Sequence, residues 1–292
     1  MKQDKTDQKS TSPITHQPDG SLEINIVIPK EKVKSSYQKA LTKLAKNVEI
    51  NGFRTGKAPV SLVEKQIKKE AIYEEIIKEL VPVAYIDILK ENNIKPIVNP
   101  QIQLVSANEN EDWQIKATTC EKPEVVLNGY QQSIKKATTG QKIWIPGKEE
   151  KNDVANKNQK IDLVFKTLLE SCEVKVPTLL IEEEVNQMLS RLLNQTEKLG
   201  ITVDQYLQSV GKTPEQLRHE YHHQAEDTLK LEFILSQIAQ EDKVEVSDDE
   251  VNKMIATVPD EQTKKNLDSP KERAYIRQIL KKQRTIDRLL TL

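Results

Sequence analysis

The sequence predicts an α+β protein: a small antiparallel sheet with helices, joined to an all-α carboxy-terminal half made of long helical arms. Three observations carry that expectation. Short runs within the first 120 or so residues alternate apolar and polar side chains, the two-residue period of a half-buried strand. From Ile161 onward apolar residues recur three and four apart, the period of an amphipathic helix. Charged residues make up 30% of the chain and aromatics 4%, which suits a soluble, helix-rich protein rather than a membrane or disulfide-built one. A length of 292 residues allows about two domains and a sizeable core. The expected division is a flexible leader over 1–20, an α+β domain over 21–124, a connector over 125–160 and a helical domain over 161–292.

The elements follow in order. A short edge strand is expected around Pro13 to His16, and Asp19-Gly20 turns into Leu22, Ile24, Ile26 and Ile28, which alternate with Glu23 and Asn25 as a half-buried strand. Val33, Tyr37, Leu41, Leu44 and Val48 mark a helix that Asn51-Gly52 is placed to end, and Pro59 suits the first turn of the next. A longer helix over roughly Glu70 to Asn92 has Ile72, Ile76, Leu80 and Val83 as its inward series and Pro82 as a source of kinking. Ile97 to Val105 and the alternating Trp113, Ile115 and Ala117 form two more strands, joined as a hairpin through Asn108 to Glu111. From Glu124 to Lys160 turn signals dominate, at Asn128-Gly129, Thr138-Thr139-Gly140 and Pro146-Gly147. Only Lys142 to Ile145 looks strand-like there, and its Trp144 has two open roles, packing on a neighbouring domain or touching a substrate chain.

In the helical half, Leu163, Val164, Thr167 and Leu168 share one helix, and after Pro177 the series Ile181, Val185, Met188, Leu192 and Leu199 marks another. A short helix over Val203 to Val210 ends at Gly211. A long one starts near Thr213-Pro214 and runs past Leu217, Tyr221, Ala225, Leu229 and Leu235 to about Glu241. Ser247 to Glu250 has capping-box spacing, and the last helix repeats Ile276, Ile279, Ile286 and Leu290 with Gln283 interrupting its inward face.

A net charge of -1 excludes a globally basic nucleic-acid binder. Charge is uneven, however: residues 30 to 70 hold eleven Lys or Arg against four Glu, so this domain should seek an acidic or phosphate-rich surface. Cys120 and Cys172 are isolated and form no metal-type or redox pair, so a reducing compartment is the simpler expectation. Residues 1–20 lack the apolar core of a signal peptide, and no run reaches the ~18 apolar residues of a membrane span. The expected location is the cytoplasm, with no membrane partner.

The stretch Asn51-Gly52-Phe53-Arg54-Thr55-Gly56-Lys57-Ala58-Pro59 lies between two helices, yet it carries an aromatic ring and two cations that a plain connector does not need. Read locally, two roles are open. Phe53 can fold back on its own domain, the commoner fate of a single loop aromatic, or it can anchor in a partner's apolar pocket while Arg54 and Lys57 pair with carboxylates or phosphates. A phosphate-binding loop is rejected, because the glycine spacing is one residue short, Ala58 stands where a hydroxyl is required, and a helix precedes it. His219-Glu220-Tyr221-His222-His223 matches H-E-x-x-H. Its histidines nevertheless fall on the polar face of a helix whose buried side is Leu217, Tyr221 and Ala225, and no third ligand follows, so no metal is assigned. No nucleophilic triad can be picked out, no catalytic residue is assigned, and no cofactor is expected.

Gly52-Phe53-Arg54, Gly56-Lys57 and Pro59 match G-F-R-x-G-K-x-P in full, and on these residues the sequence resembles trigger factor, the family of bacterial ribosome-associated chaperones. Val176-Pro177 to Leu193, Val203 to Leu207 and Gly211-Lys212-Thr213 resemble that family's carboxy-terminal arms. The resemblance covers roughly 21–124 and 161–292. It implies that Gly52, Phe53, Arg54, Gly56, Lys57 and Pro59, with Lys46 nearby, dock on ribosomal protein and RNA beside the exit tunnel, that Lys39, Lys43, Lys46, Lys65 and Lys68 steer the approach, and that the arms hold nascent or unfolded polypeptides without ATP. Self-association into a homodimer is also implied by the resemblance alone. Family members usually carry a prolyl isomerase domain of the FK506-binding type between these halves. Here only 35 residues separate Glu124 from Lys160, too few for a closed domain with an apolar pocket, so no isomerase activity is expected. Two other readings are a ribosome- or RNA-binding factor without chaperone activity and a chaperone of the SurA type.

Overall fold

The computed structural model describes residues 13–46, 53, 60–108, 111–140 and 153–292, without the side chains of 60, 61, 63, 140 and 153–156. It divides into two compact units, Met1–Lys122 with Pro177–Leu179 and Pro123–Val176 with Leu180–Leu292.

The first unit is built on an antiparallel four-stranded sheet in the order β1-β2-β4-β3, from β1 (Ile14–His16), β2 (Ser21–Ile28), β3 (Gln101–Ser106) and β4 (Trp113–Cys120). The turn into β2 is fixed by Asp19, whose Oδ1 accepts from the Ser21 amide and hydroxyl at 3.0 and 2.7 Å, and by Gly20 at positive φ. Register then stacks Ile24 on Ala117, Ile26 on Ile115 and Ile28 on Trp113, so the period-two pattern puts all six on one buried face. Helices α1 (Lys30–Ala45) and α3 (Lys69–Glu91) complete this core with Val33, Leu41, Ile72 and Ile76. The Trp113 indole donates to Asn108 O at 3.2 Å and meets the Tyr73 ring edge-on at 4.9 Å. Between α1 and α3 runs α2 (Val60–Gln66); Pro59, expected in its first turn, lies outside the described residues.

Two expectations fail here. α1 ends at Ala45 with Lys46 as its cap, ahead of Asn51-Gly52. Val83 is 60% exposed, while Val81 and Tyr85 are buried. The inward face of α3 shifts around the helix after Ile76, next to Pro82, so the spacing set by Ile72 and Ile76 does not extend to Val83.

Among the described residues the second unit is helical apart from a two-stranded ribbon, β5 (Val125–Val126) with β6 (Glu173–Val174). Its helices are α4 (Tyr130–Gly140), α5 (Asp153–Ser171), α6 (Thr178–Lys198), α7 (Val203–Val210), α8 (Pro214–Glu241), α9 (Asp248–Ala256), α10 (Glu261–Leu267) and α11 (Pro270–Leu290). Capping boxes at Thr202, Thr213 and Ser247 start α7, α8 and α9, and Gly211 ends α7 in the left-handed conformation. The stretch read as turns and exposed connector instead contains β5 and α4. Tyr130 and Ile134 are buried with Val164, Leu168, Ile234, Leu235, Ile238 and Leu289. Trp144 and the strand expected over Lys142 to Ile145 lie outside the described residues. Leu199 is 74% exposed beyond the end of α6, where Thr196 continues the buried stripe and donates to Leu193 O at 2.9 Å. On α11, Gln283 faces solvent, and the polar residue within the core is Thr285, whose hydroxyl is satisfied by Lys281 O at 2.8 Å. α11 is also tied to its neighbours by ion pairs, Arg277 with Asp248, Lys282 with Glu232 and Arg284 with Glu250.

Candidate docking surface

The approach to the loop is a pair of helices. Tyr37 on α1 donates through its hydroxyl to Glu64 on α2 at 3.1 Å, which fixes the two elements that carry the loop's ends. Phe53 sits in a bend and is 44% exposed. The exposed part of this aromatic side chain is open to a partner pocket. Gly52, Arg54, Gly56, Lys57 and Pro59 lie outside the described residues. Lys46 is exposed at the end of α1.

Sequence reasoning missed Leu62, a large apolar side chain that α2 leaves 39% exposed, with Lys65 one turn further along. An unpaired apolar residue on a seven-residue helix flanking the loop was the available signal.

The lysines named for steering divide into two groups. Lys43 pairs with Glu75 at 2.6 Å and Lys39 with Glu79 at 3.6 Å, both across to α3. The hydrogen bond between Lys43 and Glu75 raises the lysine pKa and lowers that of the glutamate. A neutralised pair contributes little field at a distance, so Lys39 and Lys43 are weaker candidates for steering than their place in the sequence suggests. Lys46, Lys65 and Lys68 are exposed and have no ion-pair partner among the described residues, which leaves them as the open cations of this face.

On the arms, Leu192, Leu207 and Leu217 form a small core with Leu189, Val203, Tyr206 and Tyr221 around it. Beside that core Leu193, Leu199, Ile201 and Val210 remain exposed. These four are apolar contacts that the arm does not use internally. Arg218 with Glu182 and Arg191 with Glu184, at 2.5 and 2.6 Å, lie on the polar side. Within the H-E-x-x-H string, Glu220 is held by Lys212 at 2.5 Å, so the carboxylate that would act as general base is already committed. No group of three or more candidate ligands is placed to hold a metal ion among the described residues, and no described helix is long and apolar enough to cross a membrane.

Comparison with known proteins accounts for both units. The family model for bacterial trigger factor protein matches residues 12–143 and that for its C-terminus matches 147–291. The two matches nearly abut, with no room between them for another domain. The trigger factor of Shouchella clausii is 22% identical, the alignment covering 81% of this chain and 86% of the relative. Since 81% of 292 residues is about 237 and the alignment runs over 374 positions, more than a third of it lies opposite gaps in this chain. The trigger factors of Pelotomaculum thermopropionicum and Carboxydothermus hydrogenoformans are 37% and 40% identical over 109 residues, 37% of this chain and only 25% and 26% of those proteins. A solved structure described as "Promiscuous Substrate Recognition in Folding and Assembly Activities of the Trigger Factor Chaperone" superposes with a TM-score of 0.64, covering 95% of this chain and 99% of that one at 14% identity. At that identity the likeness is one of fold.

Proposed function

We propose, since this chain belongs to the bacterial trigger factor family, that it is an ATP-independent chaperone which docks beside the ribosomal exit tunnel and shields nascent polypeptides during folding. The observation that carries the docking half is the exposed Phe53, set in a loop whose sequence matches the family motif. Phe53 anchors in an apolar spot on the ribosome, Arg54 and Lys57 pair with acidic side chains or RNA phosphate, and Lys46, Lys65 and Lys68 add salt-sensitive attraction. The exposed Leu193, Leu199, Ile201 and Val210 support the chaperone half, because apolar contact is non-directional and accepts many client sequences without nucleotide. Clients leave as they bury their own apolar surface. The chain works in the cytoplasm, dimerises when free, and has no prolyl isomerase activity, in keeping with family matches that leave no span for a third domain.

Ribosome co-sedimentation tests the docking half. A triple variant, Phe53→Ala with Arg54→Ala and Lys57→Ala, is expected to lose pelleting while its helical signal stays unchanged. Undiminished pelleting at moderate salt would sink the docking role. A ribosome-binding factor without chaperone activity is separated by aggregation suppression: the full chain is expected to slow aggregation of a refolding client, and failure at any ratio favours that factor.

A further inference from the structure

Four histidines occur in the chain, and three of them, His219, His222 and His223, share one turn of α8. His219 and His223 are four residues apart, so both rings leave the helix on the same side. Both are exposed, and their ring centroids stand 4.7 Å apart with the planes at 75°. His222 points elsewhere around the helix, its centroid 6.3 Å from that of His223. Neither ring of the 219–223 pair is taken up by a hydrogen bond or ion pair among the described residues.

A zinc ion holds imidazole nitrogens at about 2.0–2.1 Å in a tetrahedral shell, which sets two such nitrogens about 3.3 Å apart and their ring centroids about 5 Å apart. The observed separation is close to that, and small rotations of exposed side chains cover the difference. We propose that His219 and His223 form a two-residue chelate for a divalent transition-metal ion of the Zn²⁺, Ni²⁺ or Cu²⁺ class on the outer face of α8. Water fills the remaining positions, in keeping with the lack of any three-ligand group among the described residues. Glu226, which faces His222 and His223, adds negative charge nearby, but its carboxylate is engaged by Lys230 at 2.7 Å and is not a ligand.

The site binds without hydrolysing. Glu220, the residue the sequence pattern offers as a base, is tied to Lys212 at 2.5 Å, and with His219 it lines a shallow, open depression rather than an enclosed cleft. What the ion does is bridge residues one turn apart, which favours the helical form of this stretch of α8. Imidazole nitrogens discriminate against hard cations, so Mg²⁺ and Ca²⁺ do not compete.

Calorimetric titration of the tag-free full-length chain with ZnCl₂ and with NiCl₂ tests the proposal. One ion per chain is expected, with affinity falling about tenfold or more in His219→Ala and in His223→Ala, and little change in His222→Ala or His16→Ala. Nickel should also raise the unfolding midpoint of the parent chain and leave that of His219→Ala where it was. His219→Gln repeats the test with a side chain closer in size, should the alanine variant lose helicity. No heat and no midpoint shift up to about 1 mM metal, or parent-like binding by the 219 and 223 variants, overturns the chelate.

Discussion

Replacing Phe53 by alanine isolates the apolar part of docking from the charged part. Burying a phenylalanine side chain completely is worth at most about 3 kcal/mol. Phe53 keeps 44% of its surface in water, so a pocket that covers that exposed part gains about 1 kcal/mol, and losing it weakens ribosome binding about fivefold. That is a modest effect for a single change, and its salt dependence makes it diagnostic. Area burial is not screened by ions, whereas each lysine-phosphate contact weakens as salt rises. Co-sedimentation titrations of the parent and Phe53→Ala, run between about 0.05 and 0.2 M salt, should give parallel lines on a log-log plot, offset by that factor. An unchanged affinity would show that Phe53 stays in water on the ribosome. A loss that shrinks as salt rises would show instead that the substitution acts on the neighbouring cations.

The charge map predicts that Lys46→Ala with Lys65→Ala lowers the salt slope of ribosome binding by up to about two, while Lys43→Ala with Glu75→Ala, which removes a matched pair, leaves it nearly unchanged. Equal effects from both double variants, in the same titration, would refute the division of the lysines. Glu250 has its carboxyl pKa lowered by hydrogen bonds from the Ser247 amide and hydroxyl, with Arg284 adding to this. The folded state therefore favours the ionised form: this stabilisation is present at neutral pH and is lost as pH falls below the ordinary glutamate value of 4.5. Glu250→Gln should flatten the fall in stability over that acidic range, read from urea midpoints, and an unaltered pH profile would contradict the assignment. Ile134→Ala should cost the second unit about 2–4 kcal/mol by leaving a core cavity, seen in urea unfolding; a cost under about 0.5 kcal/mol, typical of a surface site, would mean that α4 is not part of the core.

The elements that were legible in the sequence are those whose own residues state their environment. Strand β2 buries Leu22, Ile24, Ile26 and Ile28 at every second position, and α7, α8 and α9 carry complete capping boxes, so local chemistry and tertiary burial agree. Helix α4 was missed because its inward face is only Tyr130 and Ile134 in a run of glutamine, lysine and threonine. Two apolar residues four apart give no readable period, and only the docking of α5, α8 and α11 makes them core. Leu199 misled for the opposite reason: it is apolar but lies past the end of α6, where Gly200 takes positive φ and the chain has already turned.

The candidate site divides in the same way. The loop's aromatic ring and motif glycines are chemistry that a sequence displays directly. Which lysines act at a distance is decided elsewhere, because Glu75 and Glu79 belong to α3 and reach Lys43 and Lys39 only once α1 and α3 have packed. Packing of α1 on α3 thus sets the electrostatics of the candidate docking face as well as the hydrophobic core. A substitution on α3 far along the chain from the loop, such as Glu75→Ala, frees a cation and should tighten ribosome binding at low salt without touching any docking residue.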